Sequence, residues 1–175
     1  MAPLNGIRWL LLDWGNTLMR VFPEAKASMA EWPVIELMPG VRTILPALKK
    51  AGFHLALISN AENSDVSQVR KALRRTGIDE LIERIYLARE LDSRKPEAEF
   101  FSAVLRDLEC TPSQALVVGD TLIDDVIGAQ RAGIQAIWFR PGRERMADFP
   151  LCPCIHHFAE LPACLSSLIS GSRMR

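Results

Sequence analysis

Polar side chains that can take part in phosphate chemistry follow three short apolar runs of this 175-residue sequence. Asp13 follows the run IRWLLL, Ser59 and Asn60 follow HLALI, and Asp120 follows ALVVG. A carboxylate such as Asp13 can act as a nucleophile toward a phosphate ester, which splits a difficult transfer into two easier steps through an aspartyl-phosphate. These residue types therefore indicate phosphoryl transfer.

A carboxylate nucleophile repels an anionic ester, so this chemistry needs positive charge nearby. Mg²⁺ takes oxygen ligands and keeps several waters, so two or three carboxylates suffice to hold it. Asp120 is one candidate ligand, and Asp124 and Asp125 come one turn later. The Ser59 hydroxyl can donate to a phosphoryl oxygen, and Lys95 can add a compact positive charge.

Each of these residues has a structural interpretation when it is taken alone. A single Asp after a strand usually caps a helix or forms a turn, and a Ser-Asn pair is usually a turn. A Lys-Pro pair usually begins a helix at the surface, and Asp124 or Asp125 can simply complement a helix dipole. The combination favours a functional site, because the residues fall in order at successive strand ends.

The elements that would position these residues follow from apolar runs that alternate with amphipathic stretches. The strands are predicted at 7–12, 54–58, 84–87, 115–118, 135–139 and 154–158, and the helices at 41–51, 64–76, 96–109, 122–132 and 160–169. This alternation predicts βαβ units, and uninterrupted apolar strands predict a parallel sheet covered on both faces. The expected fold class is α/β, a three-layer doubly wound (Rossmann-like) parallel sheet. Ligands bind outside the carboxyl ends of the strands in such folds.

Four motifs of the sequence resemble, in order, those of the haloacid dehalogenase (HAD) superfamily. They are LLDWGNTL at 11–18, LISN at 57–60, Lys95-Pro96, and VGDTLIDD at 118–125, which runs into Gly-Ala at 128–129 and Ala-Gly at 132–133. The resemblance implies a HAD-like hydrolase, and in particular a Mg²⁺-dependent phosphatase that forms an aspartyl-phosphate on Asp13.

The resemblance also implies roles for single residues. The implied metal ligands are Asp13, the backbone carbonyl of Gly15, Asp120 and Asp125; the implied catalytic residues are Asp13, Ser59 and Lys95; the implied substrate-binding residues are Ser59, Asn60 and Lys95. Asp125 matches the family's second acidic position better than Asp124, because it directly precedes the stretch VIGA.

Gly15 departs from the family pattern, which has a second Asp there as general acid and base. A glycine cannot transfer protons, which puts at risk a factor of about 10²–10⁴ in rate. Another group can supply the proton, or the activity can be slow and limited to good leaving groups. The alternatives are a catalytically degenerate phosphate-binding or scaffolding protein and a phosphotransferase. The phosphonate-cleaving branch of the family, which also has a small residue here, stays a minor option.

The spacing of the motifs predicts a single core domain over residues 1–170, with a short insertion at 19–38 in place of a sizeable cap and a frayed tail at 171–175. A site without a cap is open, which suits a bulky substrate or a second subunit of a homo-oligomer that completes the pocket. Trp32, inside the insertion, is either packed beneath a loop or a wall of the substrate site.

The composition limits the classes of partner. Lys plus Arg and Asp plus Glu both number 21, so there is no net charge to attract nucleic acid or an anionic membrane. No apolar run reaches the roughly 18 residues of a membrane span. Four cysteines, three of them near the end, are a poor disulfide framework, which predicts a cytoplasmic location. The stretch CPCIHH (Cys152, Cys154, His156, His157) is interpreted as an edge strand rather than a zinc site.

Overall fold

A six-stranded sheet forms the centre of the computed structural model, which describes residues 6–142 and 151–171. The strands are β1 (Trp9–Asp13), β2 (His54–Ser59), β3 (Arg84–Leu87), β4 (Ala115–Gly119), β5 (Gln135–Phe139) and β6 (Cys154–Ile155). Their order is β3-β2-β1-β4-β5-β6, and all neighbouring strands are parallel. The chain turns outward in opposite directions from β1 and β4, so the crevice between these two strands is the expected ligand position.

Helices cover both faces of the sheet. They are α1 (Val41–Lys50), α2 (Val66–Thr76), α3 (Ala88–Leu91), α4 (Ala98–Asp107), α5 (Gly128–Arg131) and α6 (Leu161–Gly171). Successive residues of β1 enter different cores, because Leu10 and Leu12 pack with α1, α2 and α6 while Leu11 packs with α4 and α5. Burial on both sides explains the uninterrupted apolar strand. The predicted fold class is therefore confirmed.

Several predicted elements differ from the structure, and β1 and α4, for example, both begin two residues later than predicted. The helix predicted at 122–132 is a π-helix, Leu122–Ile127, followed by the short α5. Strand β6 has two residues instead of five, because a short 3₁₀ turn, Phe158–Glu160, begins where the prediction continues the strand. Helix α2 begins at Val66 instead of residue 64, because Asp65 caps it and accepts a hydrogen bond from the Gln68 amide at 2.9 Å.

The insertion at 19–38 packs against the core. Among its described residues it has one short helical turn, Met29–Glu31. Trp32 is 7% exposed, and its indole N–H donates to the Ala27 carbonyl at 2.8 Å. Arg75 on α2 donates to the carbonyls of Ala30 and Trp32 at 3.0 and 2.8 Å. Trp32 is thus packed beneath the insertion, as the first alternative expects, and lines neither of the two cavities described below.

A cluster of charged side chains joins α1, β2 and β3 at the edge of the sheet opposite the strand ends that bear Asp13. Both Lys49 and His54 contact the Glu83 carboxylate, His54 at 2.8 Å from Nδ1 to Oε2. Burial alone would raise the pKa of Glu83, but the hydrogen bonds from Lys49 and His54 outweigh it and hold this pKa below its usual value. The cluster therefore favours the ionised carboxylate.

Of the tail predicted to fray, Gly171 still belongs to α6, and residues 172–175 lie outside the described part of the chain. In the described residues, no helix combines the length and apolar character that crossing a bilayer requires.

Candidate active site

A buried lysine joins two buried carboxylates at the carboxyl ends of β1 and β4. Lys95 Nζ lies 2.7 Å from Asp13 Oδ1 and 2.6 Å from Asp125 Oδ1. The three residues are 3%, 8% and 1% exposed, in the order Lys95, Asp13 and Asp125. Asp120 stands beside them, and Asp13, Asp120 and Asp125 each offer an oxygen within 4.8 Å of the others. The structure thus brings together residues from three distant parts of the sequence.

Asp125 can approach the end of β4 closely because that strand ends in a glycine. A Cβ atom at Gly119 would lie 2.2 Å from the carboxyl carbon of Asp125, so no other residue fits there without displacing that carboxylate. The second oxygen of Asp125 accepts a hydrogen bond from the Thr121 amide at 3.0 Å. The π-helix and the glycine together bring Asp125 under the sheet edge and fix both of its oxygens.

Asn60 holds the backbone of the loop that carries Lys95. Its side-chain amide donates to the Lys95 carbonyl at 2.8 Å, and its side-chain oxygen accepts from the Lys95 amide at 2.9 Å. On the other side of the loop, a Cβ at Gly128 would lie 2.8 Å from Pro96 Cα, so helix α5 packs directly on the residue after the lysine. These contacts set where the ammonium group enters the site.

Burial and mutual repulsion perturb the charges of the site. Burial raises the pKa of Asp13 to about 7 against the lowering effect of Lys95, and Asp125 adds to the rise. Burial and Asp125 likewise raise the pKa of Asp120 to about 6. Burial alone would lower the pKa of Lys95, but the carboxylates of Asp13 and Asp125 outweigh it and hold that pKa above its ordinary value. Three carboxylates against one ammonium leave excess negative charge, which a bound cation would balance.

The acidic group suits a hard divalent cation, because its donors are carboxylate oxygens that converge on one place. It is the one cluster of three or more His, Cys, Asp or Glu with metal-binding spacing within residues 6–142 and 151–171. The stretch CPCIHH is not part of such a cluster. Cys154 lies in the edge strand β6, as predicted, and its sulfur is 3.7 Å from His156 Nε2.

Two cavities that share lining residues open at this edge of the sheet. The smaller one, of about 220 Å³, is lined by Asp13, Gly15, Asn16, Ser59, Asn60, Ala61, Lys95, Asp120, Thr121 and Asp124. The larger one, of about 720 Å³, shares Asn16 and Asp120 with it and extends to Trp138 and Arg140 after β5. The smaller cavity has the size of a phosphate group with its ligands, and the larger one offers room for the rest of a small molecule.

A family model for haloacid dehalogenase-like hydrolases matches residues 11–139, well over half of the chain. The chain belongs to this family. The resemblance of the four motifs is thereby confirmed, and the fold places Asp13, Ser59 and Asp120 at the ends of the neighbouring strands β1, β2 and β4.

Relatives and solved structures agree with the family. The glyceraldehyde 3-phosphate phosphatase of Pyrococcus abyssi is 31% identical over 106 residues, which are 61% of this chain and 43% of that protein. An uncharacterized protein of Listeria monocytogenes serotype 4b superposes with a TM-score of 0.81 at 28% identity, over 94% of this chain and 99% of its own. The magnesium-bound HAD hydrolase YfnB of Bacillus subtilis has a TM-score of 0.65 at 23% identity, over 75% of this chain and 56% of its own, which shows the fold alone. The chain spans less than half of the P. abyssi enzyme.

The remaining HAD motif residues take the following places. Ser59 is buried in the wall of the smaller cavity, and its hydroxyl oxygen accepts from the Ala61 amide at 3.1 Å. Gly15 and Asp124 line the same cavity, and Asp124 is outside the acidic cluster. The side chain of Asn60 is committed to the Lys95 backbone, so a direct contact with substrate would have to compete with two hydrogen bonds.

Space beside Gly15 is also limited in this HAD-like core. A Cβ at this position would lie 3.0 Å from Val21 Cγ2, so a larger residue requires Val21 to move. The backbone of Gly15 is not left-handed, since it is absent from the glycines with positive φ. Packing against Val21, rather than backbone conformation, therefore resists the aspartate that the family usually has here.

Sequence reasoning missed Trp138 and Arg140, which line the larger cavity. A signal for them was present, because both lie at the carboxyl end of a predicted strand, 135–139. The rule that selected Asp13, Ser59 and Asp120 also applies to that strand. Asn16 was missed as well; it has a left-handed φ of 56°, and its side-chain oxygen accepts from the Val21 amide at 3.1 Å.

Proposed function

We propose that this protein is a Mg²⁺-dependent phosphatase that hydrolyses a phosphate monoester through an aspartyl-phosphate on Asp13, in a core domain without a sizeable cap. The observation that carries the proposal is the buried contact of Lys95 with both Asp13 and Asp125, beside the half-buried Asp120. A HAD hydrolase needs a carboxylate nucleophile, a fixed cation and a metal site at one place, and these residues meet that need.

The chain's own residues account for the first step. Asp13 Oδ attacks phosphorus, a new O–P bond forms, and the bond from phosphorus to the leaving oxygen breaks with its electron pair. Lys95 holds one oxygen of Asp13 at 2.7 Å, and Asp13 lines the smaller cavity. The Ser59 hydroxyl and the Lys95 ammonium, which line the same cavity, would donate to the oxygens of a phosphoryl group bound there.

Asp13, Asp120 and Asp125 would hold Mg²⁺, with the Gly15 carbonyl at the wall of the same cavity. When bound, the cation neutralises charge on the transferring group. Water then attacks the phosphorus of the aspartyl-phosphate, releases inorganic phosphate and regenerates the Asp13 carboxylate.

Gly15 determines which esters the site can use. No carboxylic acid stands two residues after Asp13 to protonate the departing oxygen, so the leaving group must depart as an anion or take a proton from water. We therefore propose that esters with acidic leaving groups, such as aryl phosphates, react faster than alkyl phosphates. The same residue favours a second candidate, a protein that binds phosphate esters without turnover.

Turnover of p-nitrophenyl phosphate with Mg²⁺ tests the proposal. We expect steady release of p-nitrophenol that stops on addition of a chelator and returns with excess Mg²⁺. Asp13→Asn should reduce the rate to that of buffer, because the amide is a poor nucleophile. Asp92→Asn is the matched control, since Asp92 is exposed and has a left-handed φ of 49° that asparagine also adopts. A wild-type protein that binds Mg²⁺ and phosphate esters but turns over none of a broad panel would support the binding-only alternative instead.

A further inference from the structure

The larger cavity lies where the leaving group of a bound ester would lie. It meets the smaller, phosphate-sized cavity at Asn16 and Asp120 and then continues along the end of β5. The inference that follows rests on the proposed function, because it treats this cavity as the continuation of a phosphate site. The side chains that line the cavity then indicate which chemical groups the leaving group carries.

Arg140 is the best fixed cation of this cavity. Its guanidinium carbon lies 4.7 Å from the centroid of the Trp138 ring. The Trp138 indole N–H donates to the Asp120 carbonyl at 2.9 Å, so the ring under the guanidinium is tied to a residue of the acidic cluster. The Arg140 amide donates to the Ile155 carbonyl at 2.8 Å, which anchors its backbone to β6. The guanidinium is therefore held in position before any ligand binds.

Arg140 also has unused capacity to donate hydrogen bonds. Its Nη1 is buried and has no hydrogen-bond partner, and no ion pair among the described residues includes it. The positive charge of Arg140 and its side-chain hydrogen bond to the Cys154 thiol instead oppose the rise that burial causes in the pKa of that thiol. No described carboxylate thus balances the charge of Arg140, and an anion in the cavity that Arg140 lines would balance it.

Arg20, the other arginine of the cavity, differs from Arg140 in its pairing and in its exposure. Its Nε lies 2.9 Å from Glu36 Oε2, and the side chains of this pair are 45% and 49% exposed. Its charge is thus already balanced and solvated. Apart from Asp120 at the junction of the two cavities, the described lining of the larger cavity has no acidic residue. Its interior favours an anion, and Arg140 is the group placed to bind it.

We propose that the substrate carries a second anionic group besides the scissile phosphate, a carboxylate or another phosphate, and that Arg140 on the Trp138 ring binds it. The planar guanidinium presents paired N–H groups that match both kinds of anion. Arg140 is in this account a specificity-determining residue, and it takes no part in bond breaking.

Binding to the Asp13→Asn variant tests the proposal without turnover. Titration calorimetry with Mg²⁺ compares three matched series of increasing chain length: alkyl phosphates, ω-phosphorylated alkanoates and α,ω-alkanediol bisphosphates. We expect the best anionic ligand to bind about 10- to 100-fold more tightly than the alkyl phosphate of equal length, as for a hydrogen bond to a charged group. The two anionic series distinguish a carboxylate from a second phosphate.

Substitutions then assign the preference to a residue. Arg140→Met should abolish it and leave the affinity for alkyl phosphates unchanged, which also shows that the site is folded. Arg140→Lys should retain part of it, and Arg20→Met, the matched control, should change it less than about threefold because Arg20 is already paired and exposed. Equal affinity of the Asp13→Asn protein with Arg140 intact for all three series, or a preference that survives Arg140→Met, would overturn the proposal.

These binding data and a hydrolysis assay of the wild-type protein on the same three series together separate this inference from the proposed function. Hydrolysis without any preference for a second anion would leave the phosphatase proposal standing and reject the Arg140 subsite. An Arg140-dependent preference in binding, without hydrolysis of any ester, would leave the subsite standing and reject the phosphatase.

Discussion

Restoring the missing acid beside Asp13 is the most informative perturbation of this site. The double variant Gly15→Asp/Val21→Ala places a carboxyl group two residues after the nucleophile and removes the Val21 methyl that lies 3.0 Å from the new Cβ. We expect kcat for an alkyl phosphate to rise, with an upper bound of about 10²–10⁴-fold, the usual contribution of general acid–base catalysis. For an aryl phosphate the rise should be small, because its leaving group needs little protonation.

The two single variants distinguish an effect on proton transfer from an effect on the packing of the core. Gly15→Asp alone should lose about 1–3 kcal/mol of unfolding free energy in urea, because overpacking forces the stiff, β-branched Val21 out of its place. Val21→Ala alone should leave the ratio of alkyl to aryl rates unchanged. The assay is steady-state kinetics on both ester classes at saturating Mg²⁺, with urea unfolding of each variant.

One result would refute this reasoning about Gly15. If the double variant unfolds like the wild type and keeps its aryl phosphatase rate, but gains nothing on alkyl phosphates, the absence of the acid does not limit the reaction. Some other group would then already supply the proton, and the search for it would move to Asp124 and the other groups of the smaller cavity.

Three further predictions concern the supports of the site and the fold. Asn60→Ala, which removes both hydrogen bonds to the Lys95 backbone, should lower kcat about tenfold with little change in KM; a raised KM at constant kcat would show substrate contact instead. Gly119→Ala should displace Asp125 and weaken Mg²⁺ binding in calorimetry, since its Cβ would lie 2.2 Å from that carboxyl carbon; unchanged affinity would contradict the role of Asp125. The folded-state pKa of Glu83 is depressed, so its stabilisation is present above its unfolded-state pKa and is lost as the pH falls through the folded value. Glu83→Gln should therefore cost less than about 1 kcal/mol at pH 7 in this partly exposed cluster, and the difference from wild type should shrink below about pH 4.3 and vanish below the folded-state pKa; a constant difference at all pH values would exclude this linkage.

The cavity beside the site shows where reasoning from the sequence stopped short. A search of every predicted strand end would have included Trp138 and Arg140, but nothing in the sequence shows that a guanidinium there stacks on the ring and has no carboxylate partner among the described residues. That depends on the pairing of β5 with β4 and β6. Likewise, the motif at Ser59-Asn60 predicts a polar turn, and only the folded chain shows that the amide of Asn60 meets the loop that carries Lys95, 35 residues later.

The sequence by itself determined the order of the strands along the chain, the burial of both faces of the sheet and the residues that end each strand. Uninterrupted apolar runs and helix-ending glycines are local signals, and side chains after a strand must lie at one edge of a parallel sheet. The tertiary structure alone decided that Lys95 joins Asp13 to Asp125, that Gly119 makes room for the second of these, and that Val21 fills the space beside Gly15. These contacts join residues that are distant in sequence or depend on fractions of an ångström in packing. The periodicity of the sequence shows neither the long-range pairing nor the packing distances.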